Sequence, residues 1–245
     1  NTAVGSNALY ANTTGASNTA VGKIALCANT TGGFNTSIGS CSLNANQTGA
    51  SNVALGFRSL KLNTASNNTA IGKDALQSNT SGSCNTAVGT ASLDANQTGT
   101  CNVAVGFCAL KTQTAANQNT AIGTLSMAAT TSGIRNVAVG RQSMCANTTG
   151  CCNVAMGSNA LASGTTGDFN VAVGGAALGS VNTGNCNTAI GACAMNTNTS
   201  GANNTAVGKD ALLANTTGAS NVAVGKQALT TNTTGSNNVA IGCCA

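Results

Sequence analysis

Histidine, proline and tryptophan are missing from this chain, and so is glutamate. Without histidine there is no histidine-based catalytic triad and no histidine-bound metal. The carboxylates are four aspartates: Asp74, Asp94, Asp168 and Asp210. Asp74 and Asp210 occupy equivalent places in a repeat but many units apart, so no carboxylate pair for acid–base work is set up. Aromatic residues make up 2% of the chain, which leaves little large apolar material for a thick globular core. Charged residues make up 5%, with a net charge of +5. Lys23, Lys73, Arg141, Lys209 and Lys226 form a gapped column, too sparse for an electrostatic groove, so a nucleic-acid partner is not expected. No apolar run approaches membrane-span length, and membrane insertion is not expected. No GxxxxGK[ST] string marks a phosphate loop. The chain is not expected to be an enzyme or to carry a cofactor.

What is present is a repeat. Asn-Thr/Val-Ala-Val/Ile-Gly first stands at 1–5 and returns so that 15 copies fill 245 residues. Its asparagines begin Asn1, Asn18, Asn35, Asn52, Asn68, Asn85 and Asn102, and its glycines Gly5, Gly22, Gly39, Gly56, Gly72, Gly89 and Gly106. Every interval is 17 residues except the 16 between Asn52 and Asn68. A fixed period over a whole chain takes precedence over any local reading. With the motif Asn as position 1, position 3 is Ala except at Ser37, position 8 is Ala or Ser, and position 9 is Leu or Met. Positions 12 to 15 tend to Asn-Thr-Thr-Gly, as at 12–15 and 215–218.

The β-branched residues at positions 2 and 4 favour a strand and lie on one of its faces. Glycine at position 5 permits a sharp corner. Position 9 suggests a short return strand around Ala8-Leu9, and Asn-Thr-Thr-Gly reads as a turn. Each unit is thus one coil of an all-β, parallel β-solenoid. A helix is the main competitor, but each mid-pattern glycine would cost it about 1 kcal/mol. Coils about 4.8 Å apart would give a rod of roughly 65–70 Å. In-register stacking makes columns, and the position-1 asparagines can form an amide ladder between coils. Position 3 marks a crowded contact, within the coil or against another subunit. The missing residue falls near 63–67, in a polar loop, and the loops at 113–118, 164–169 and 181–186 also vary. The chain reads as a single repeat domain over 1–245. It lacks an initiating Met and distinct caps, and is expected to be a fragment of a longer fibre protein.

Twelve cysteines keep to a few columns. Cys84 and Cys101 share position 17 on successive coils, within disulfide reach, which makes them the best candidate staple. Buried free thiols are an equal reading for most of the others. The cysteine spacings do not suit zinc. Asn-x-Thr/Ser acceptors recur at Asn12, Asn29, Asn46, Asn79, Asn96, Asn147, Asn215 and Asn232, in what reads as an outward loop. They are potential glycosylation sites in a secretory setting, though the turn reading is the simpler one.

The copies at 52–56, 102–106 and 221–225 resemble the head repeat of trimeric autotransporter adhesins. The longer unit NTAVGKDALLANTTGAS at 204–220 is similar to repeats in phage and algal-virus tail fibres. The resemblance covers nearly the whole chain. It implies a left-handed β-roll, self-association as a homotrimer or filament, and residues of positions 2 and 4 filling each roll. It also implies an extracellular, cell-surface or virion appendage binding a host-surface or matrix glycan. Many weak sites on a stiff scaffold would then add through multivalency. An ice-binding solenoid is the main alternative, suggested by recurrent Thr at positions 2, 13 and 14; a passive extracellular filament is another.

Overall fold

Asparagine at position 1 settles which way each strand faces. In the computed structural model, which describes residues 1–180 and 182–245, its side chain lies inside the coil. Asn153, for example, is fully buried and donates from Nδ2 to the Gly167 carbonyl at 2.8 Å. Side chains alternate along a strand, so position 3 must also point inward and positions 2 and 4 outward. The burial follows this rule: Ala104, Ala138 and Ala155 are fully buried while Val103, Val137 and Val154 are half-exposed.

The chain separates into two compact units, Asn1–Asn119 and Thr120–Ala245. The first holds β1 (Thr2–Val4), β2 (Thr19–Val21), β3 (Thr36–Ile38), β4 (Val53–Leu55), β5 (Thr69–Ile71), β6 (Thr86–Val88) and β7 (Val103–Val105). The second holds β8 (Thr120–Ile122), β9 (Val137–Val139), β10 (Val154–Met156), β11 (Val171–Val173), β12 (Thr188–Ile190), β13 (Thr205–Val207), β14 (Val222–Val224) and β15 (Val239–Ile241). Within each unit every strand pairs in parallel with its sequence neighbours, Ala on Ala, except where Ser37 takes the Ala place. The register holds across the short coil, where Val53 pairs with Thr69. Each unit is therefore a parallel β-solenoid with one turn per repeat. Among the described residues there is no helix.

Two expectations need correction. The residues of positions 2 and 4 do not fill the roll; the inward asparagine turns them out. The interior is instead Ala at position 3, Ala or Ser at 8, Leu or Met at 9, and two columns of asparagine. The return strand around Ala8-Leu9 does not form either. Asn7 and Leu9 sit at φ 56° and 54°, and the residues at these two positions keep the left-handed region down both units. A strand needs extended backbone at successive residues, so this segment is a string of turns. Left-handed leucine is strained by about 1–2 kcal/mol. It is held there by full burial, as at Leu26, Leu43 and Leu161, and by a bond such as Leu26 N–H to Ser42 O at 3.0 Å.

The crowded contact at position 3 is within the coil. Ser37 shows its neighbour: its Oγ lies 2.6 Å from Ser42 Oγ, at position 8 of the same coil. The one copy without Ala at position 3 thus finds a hydroxyl partner already in place.

Glycine at position 5 has two separate causes. Gly140 has φ +137°, and a Cβ there would lie 2.5 Å from the Gly157 carbonyl oxygen of the next coil. Both the backbone conformation and the closeness of the next coil exclude a side chain. Gly140→Ala is expected to destabilise the protein by more than about 3 kcal/mol, as a forced backbone shift does. Leu161→Ala should cost about 2–5 kcal/mol through the cavity it leaves. Urea unfolding followed by circular dichroism checks both, and equal midpoints for Gly140→Ala and the parent would contradict the packing described.

Candidate functional site

The position-1 ladder runs through the interior. Each Oδ1 accepts the backbone N–H of the next asparagine, as from Asn35 N to Asn18 Oδ1 at 2.9 Å. Nδ2 donates to a carbonyl 14 residues on, as Asn18 does to Gly32 O at 2.8 Å, or 13 residues on in the short coil, as Asn52 does to Ala65 O. The predicted columns Asn1, Asn18, Asn35, Asn52, Asn68, Asn85 and Asn102 all make this second bond, with Ala65 and Ala116 serving as acceptors for Asn52 and Asn102. One side chain thereby ties its own loop to its strand and its coil to the next. These residues are architecture, not a binding surface, and so are Gly5, Gly22, Gly39, Gly56, Gly72, Gly89 and Gly106, all at φ between +125° and +136°.

A second amide ladder occupies position 12, where the sequence suggests only a turn. Asn29 Nδ2 donates to Asn12 Oδ1 at 2.7 Å and to Gly32 O at 2.9 Å. The Asn79–Asn63, Asn96–Asn79, Asn198–Asn182 and Asn215–Asn198 rungs repeat it, Asn182 joining the column from position 13 of its coil. The glycosylation acceptors named above belong to this column. Asn29, Asn46, Asn79, Asn96, Asn147 and Asn215 are buried, so no glycan fits them in the folded chain. The loop is outward, but its asparagine points in because the amide satisfies the carbonyl three residues on. The shortened coil breaks one rung: Asn63 Nδ2 turns to Ala65 O at 2.8 Å, and the buried Asn46 Oδ1 is left without a partner. The variable loop at 181–186 opens with Val181, which lies outside the described residues; next to it, the buried Asn182 Nδ2 also lacks a partner.

Outside the coil the surface is uneven. One face of each unit is the row of outward residues from positions 2 and 4, with Leu55 43%, Ile122 40%, Met156 45% and Ile190 41% exposed. Position 2 on this face is Thr or Val. Two rims flank it, position 17 before the strand and position 6 after it. The five aromatic residues, Tyr10, Phe34, Phe57, Phe107 and Phe169, are all exposed, and all four phenylalanines stand on these rims. The sequence does hold the signal for this: none of the aromatics falls in a periodic apolar column.

The charged groups are local. Arg58 Nε and Nη2 meet the Asp74 carboxylate at 2.7 and 3.0 Å, and the guanidinium lies 4.9 Å from the Phe57 ring centre. The hydrogen bonds it donates to the Asp74 carboxylate hold the Arg58 pKa above its ordinary value. Burial, helped by the Asp74 charge, lifts the Asp94 carboxyl above the usual aspartate range. Lys209 and Asp210 make a looser surface pair at 3.5 Å. All twelve cysteines stand as free thiols; Cys84 and Cys101 are exposed on the position-17 rim of successive coils, where Cys101 N–H donates to Ser83 O. Among the described residues no three Cys or Asp side chains gather as metal ligands, and no helix is long and apolar enough to cross a membrane. A depression lined by Leu229, Thr230, Asn232 and Cys244 lies beside the last coil.

Comparison with protein families, curated proteins and solved structures finds no match to this chain. The reading of function therefore rests on the repeat and its surface.

Two measurements test the buried polar network. Asn153→Ala leaves the Asn170 N–H and Gly167 carbonyl without that amide, and should cost about 2–5 kcal/mol in urea unfolding. Asp94 has a folded pKa above its unfolded value. Its folded state therefore holds more protons between those values, and the stability difference from Asp94→Asn should widen as pH rises through that window. With the side chain only half-buried and its charge screened by water, the effect should stay under about 0.5 kcal/mol. A parent protein gaining stability over the substituted one as pH rises would contradict the assignment.

Proposed function

We propose that this chain is a structural and adhesive fibre segment, presenting repeated shallow surface sites without catalysis. One observation carries the reading: the interior is consumed by Ala, Leu, Met and amide ladders, while every aromatic ring and the whole β-branched strand face are turned to solvent. A protein that buries only one large apolar side chain per coil and exposes all its aromatic rings is organised around its surface. The likeness of the repeat to tail-fibre and autotransporter-head units supports the same conclusion and points to an extracellular or virion appendage. Exposed aromatic rings beside Thr and Asn loops suit the alternating apolar and hydroxyl faces of a glycan. Each contact is weak, and repetition along the chain raises the total.

A second reading, ice binding, is favoured by one specific feature. Thr2, Thr19, Thr36, Thr69, Thr86, Thr120, Thr188 and Thr205 all lie on the outward face beside aliphatic residues of position 4. The column is interrupted by valines, which is why adhesion is preferred.

Retention on polysaccharide-coated beads tests the first reading. Replacing Phe34, Phe57, Phe107 and Phe169 together with Ser should lower retention about tenfold or more, with little change in melting temperature. Unchanged retention would remove the support from the rings. Thermal hysteresis in the parent protein would instead select the second reading.

A further inference from the structure

Cys84 and Cys101 share a column on successive coils of the first unit, and no other two of the twelve cysteines do so. Cys84 closes the coil that begins at Asn68, and Cys101 closes the coil that begins at Asn85. Their backbones have the same conformation, at φ 59° and 58°. The Cys101 N–H donates to Ser83 O at 3.1 Å, so the bonding between the two coils extends past β6 and β7 into this corner. Equal conformation at equal register sends both side chains the same way, with Cα atoms about 4.8 Å apart. Disulfides span Cα separations of about 4.4–6.8 Å. Both residues are exposed, so their side chains are free to turn about the Cα–Cβ bond and bring the sulfurs together. The nearest rival in the sequence, Cys108, lies beyond β7 and is buried.

The place has a structural use. The coils on either side of this pair hold irregular rungs of the position-12 ladder. Toward the N-terminus, the short coil leaves Asn46 Oδ1 without a partner. Toward the C-terminus, Gln113 stands in for asparagine, and its Nε2 reaches Asn96 Oδ1 only at 3.4 Å. A covalent link between Cys84 and Cys101 would fasten together the two regular coils between these weak points.

We propose that Cys84 and Cys101 are a dithiol site that a small-molecule disulfide, such as oxidised glutathione, converts to a disulfide between coils. One protein thiolate attacks the reagent's S–S bond and expels one thiol, which leaves a mixed disulfide. The second protein thiolate attacks the protein sulfur of that bond and expels the other thiol. The protein dithiol loses two electrons and two protons, and the reagent gains them as two thiols. The link removes loop-closure entropy from the unfolded chain and so stabilises the first unit. The proposal is independent of the adhesive reading.

Peptide mapping of the full chain tests it. The folded protein is treated with oxidised glutathione and its free thiols are capped with iodoacetamide. It is then unfolded and cut after Lys and Arg and before Asp. Fragments 74–93 and 94–111 should stay joined, two hydrogens lighter than the separate pair, and dithiothreitol should part them. Cys84→Ser should abolish the joined species and leave glutathione on Cys101. Serine already stands in this column at Ser17, Ser51 and Ser220, so the substitution suits the fold. Cys108→Ala, in the second fragment, should leave the link intact. Capped or glutathione-bearing Cys84 and Cys101 in the parent would overturn the proposal. Fragments still joined in Cys101→Ser would do the same, because the bond would then lie at Cys108. Urea unfolding reads the consequence. The oxidised parent should show an unfolding constant at least about tenfold below that of the reduced parent, a difference missing from Cys84→Ser. Equal constants for oxidised and reduced parent would reject the stabilising link.

Discussion

One hydrogen-bonding group governs this structure: the carboxamide of the position-1 asparagine. It is buried, so its donor and acceptor must both be satisfied inside the protein. The acceptor takes the backbone N–H of the next coil's asparagine and the donor takes a carbonyl of its own loop. No other side chain of this size offers both in one plane. Aspartate would place a second acceptor against the loop carbonyl, and leucine would leave two backbone groups unpaired. The spacing of coils, the closure of each loop and the inward turn of position 3 all follow from that amide.

The rest of the coil adapts to a narrow interior. Once the asparagines of positions 1 and 12 are inside, the strand has room only for alanine, and a left-handed leucine or methionine at position 9 fills what is left. The strain of those left-handed residues is repeated in every turn, and the fold tolerates it because each is fixed by burial and by a bond to a neighbouring coil. The shortened coil shows how far the design bends. Losing one residue costs a rung at Asn46, yet the strand register and the position-1 bond survive, with Ala65 replacing a glycine carbonyl.

A narrow inside, with room for one leucine or methionine per coil, has a consequence for the outside. Large apolar side chains left over from the core appear on the surface, as branched residues on the strand face and as phenylalanines on its rims. Charge is confined to the rims and the corners, where Arg58 and Asp74 hold each other across successive coils. The surface is thus repetitive along the chain and different around it.

Period, strand class and register were legible from residues alone, because Asn, Ala and Gly recur at fixed spacing and only stacked coils use such columns. The amide ladder at position 1 was legible too, since an invariant polar residue beside a strand has few other uses. The direction of the strand was not. Alternation tells that positions 2 and 4 share a face, but hydrophobicity suggests the inside, and only the three-dimensional bond from Asn to a carbonyl 14 residues on reverses it. The same holds for Leu9 and for Asn12. A leucine in the left-handed region and a loop asparagine pointing inward depend on partners in the neighbouring coil, and a single strand of sequence does not display them.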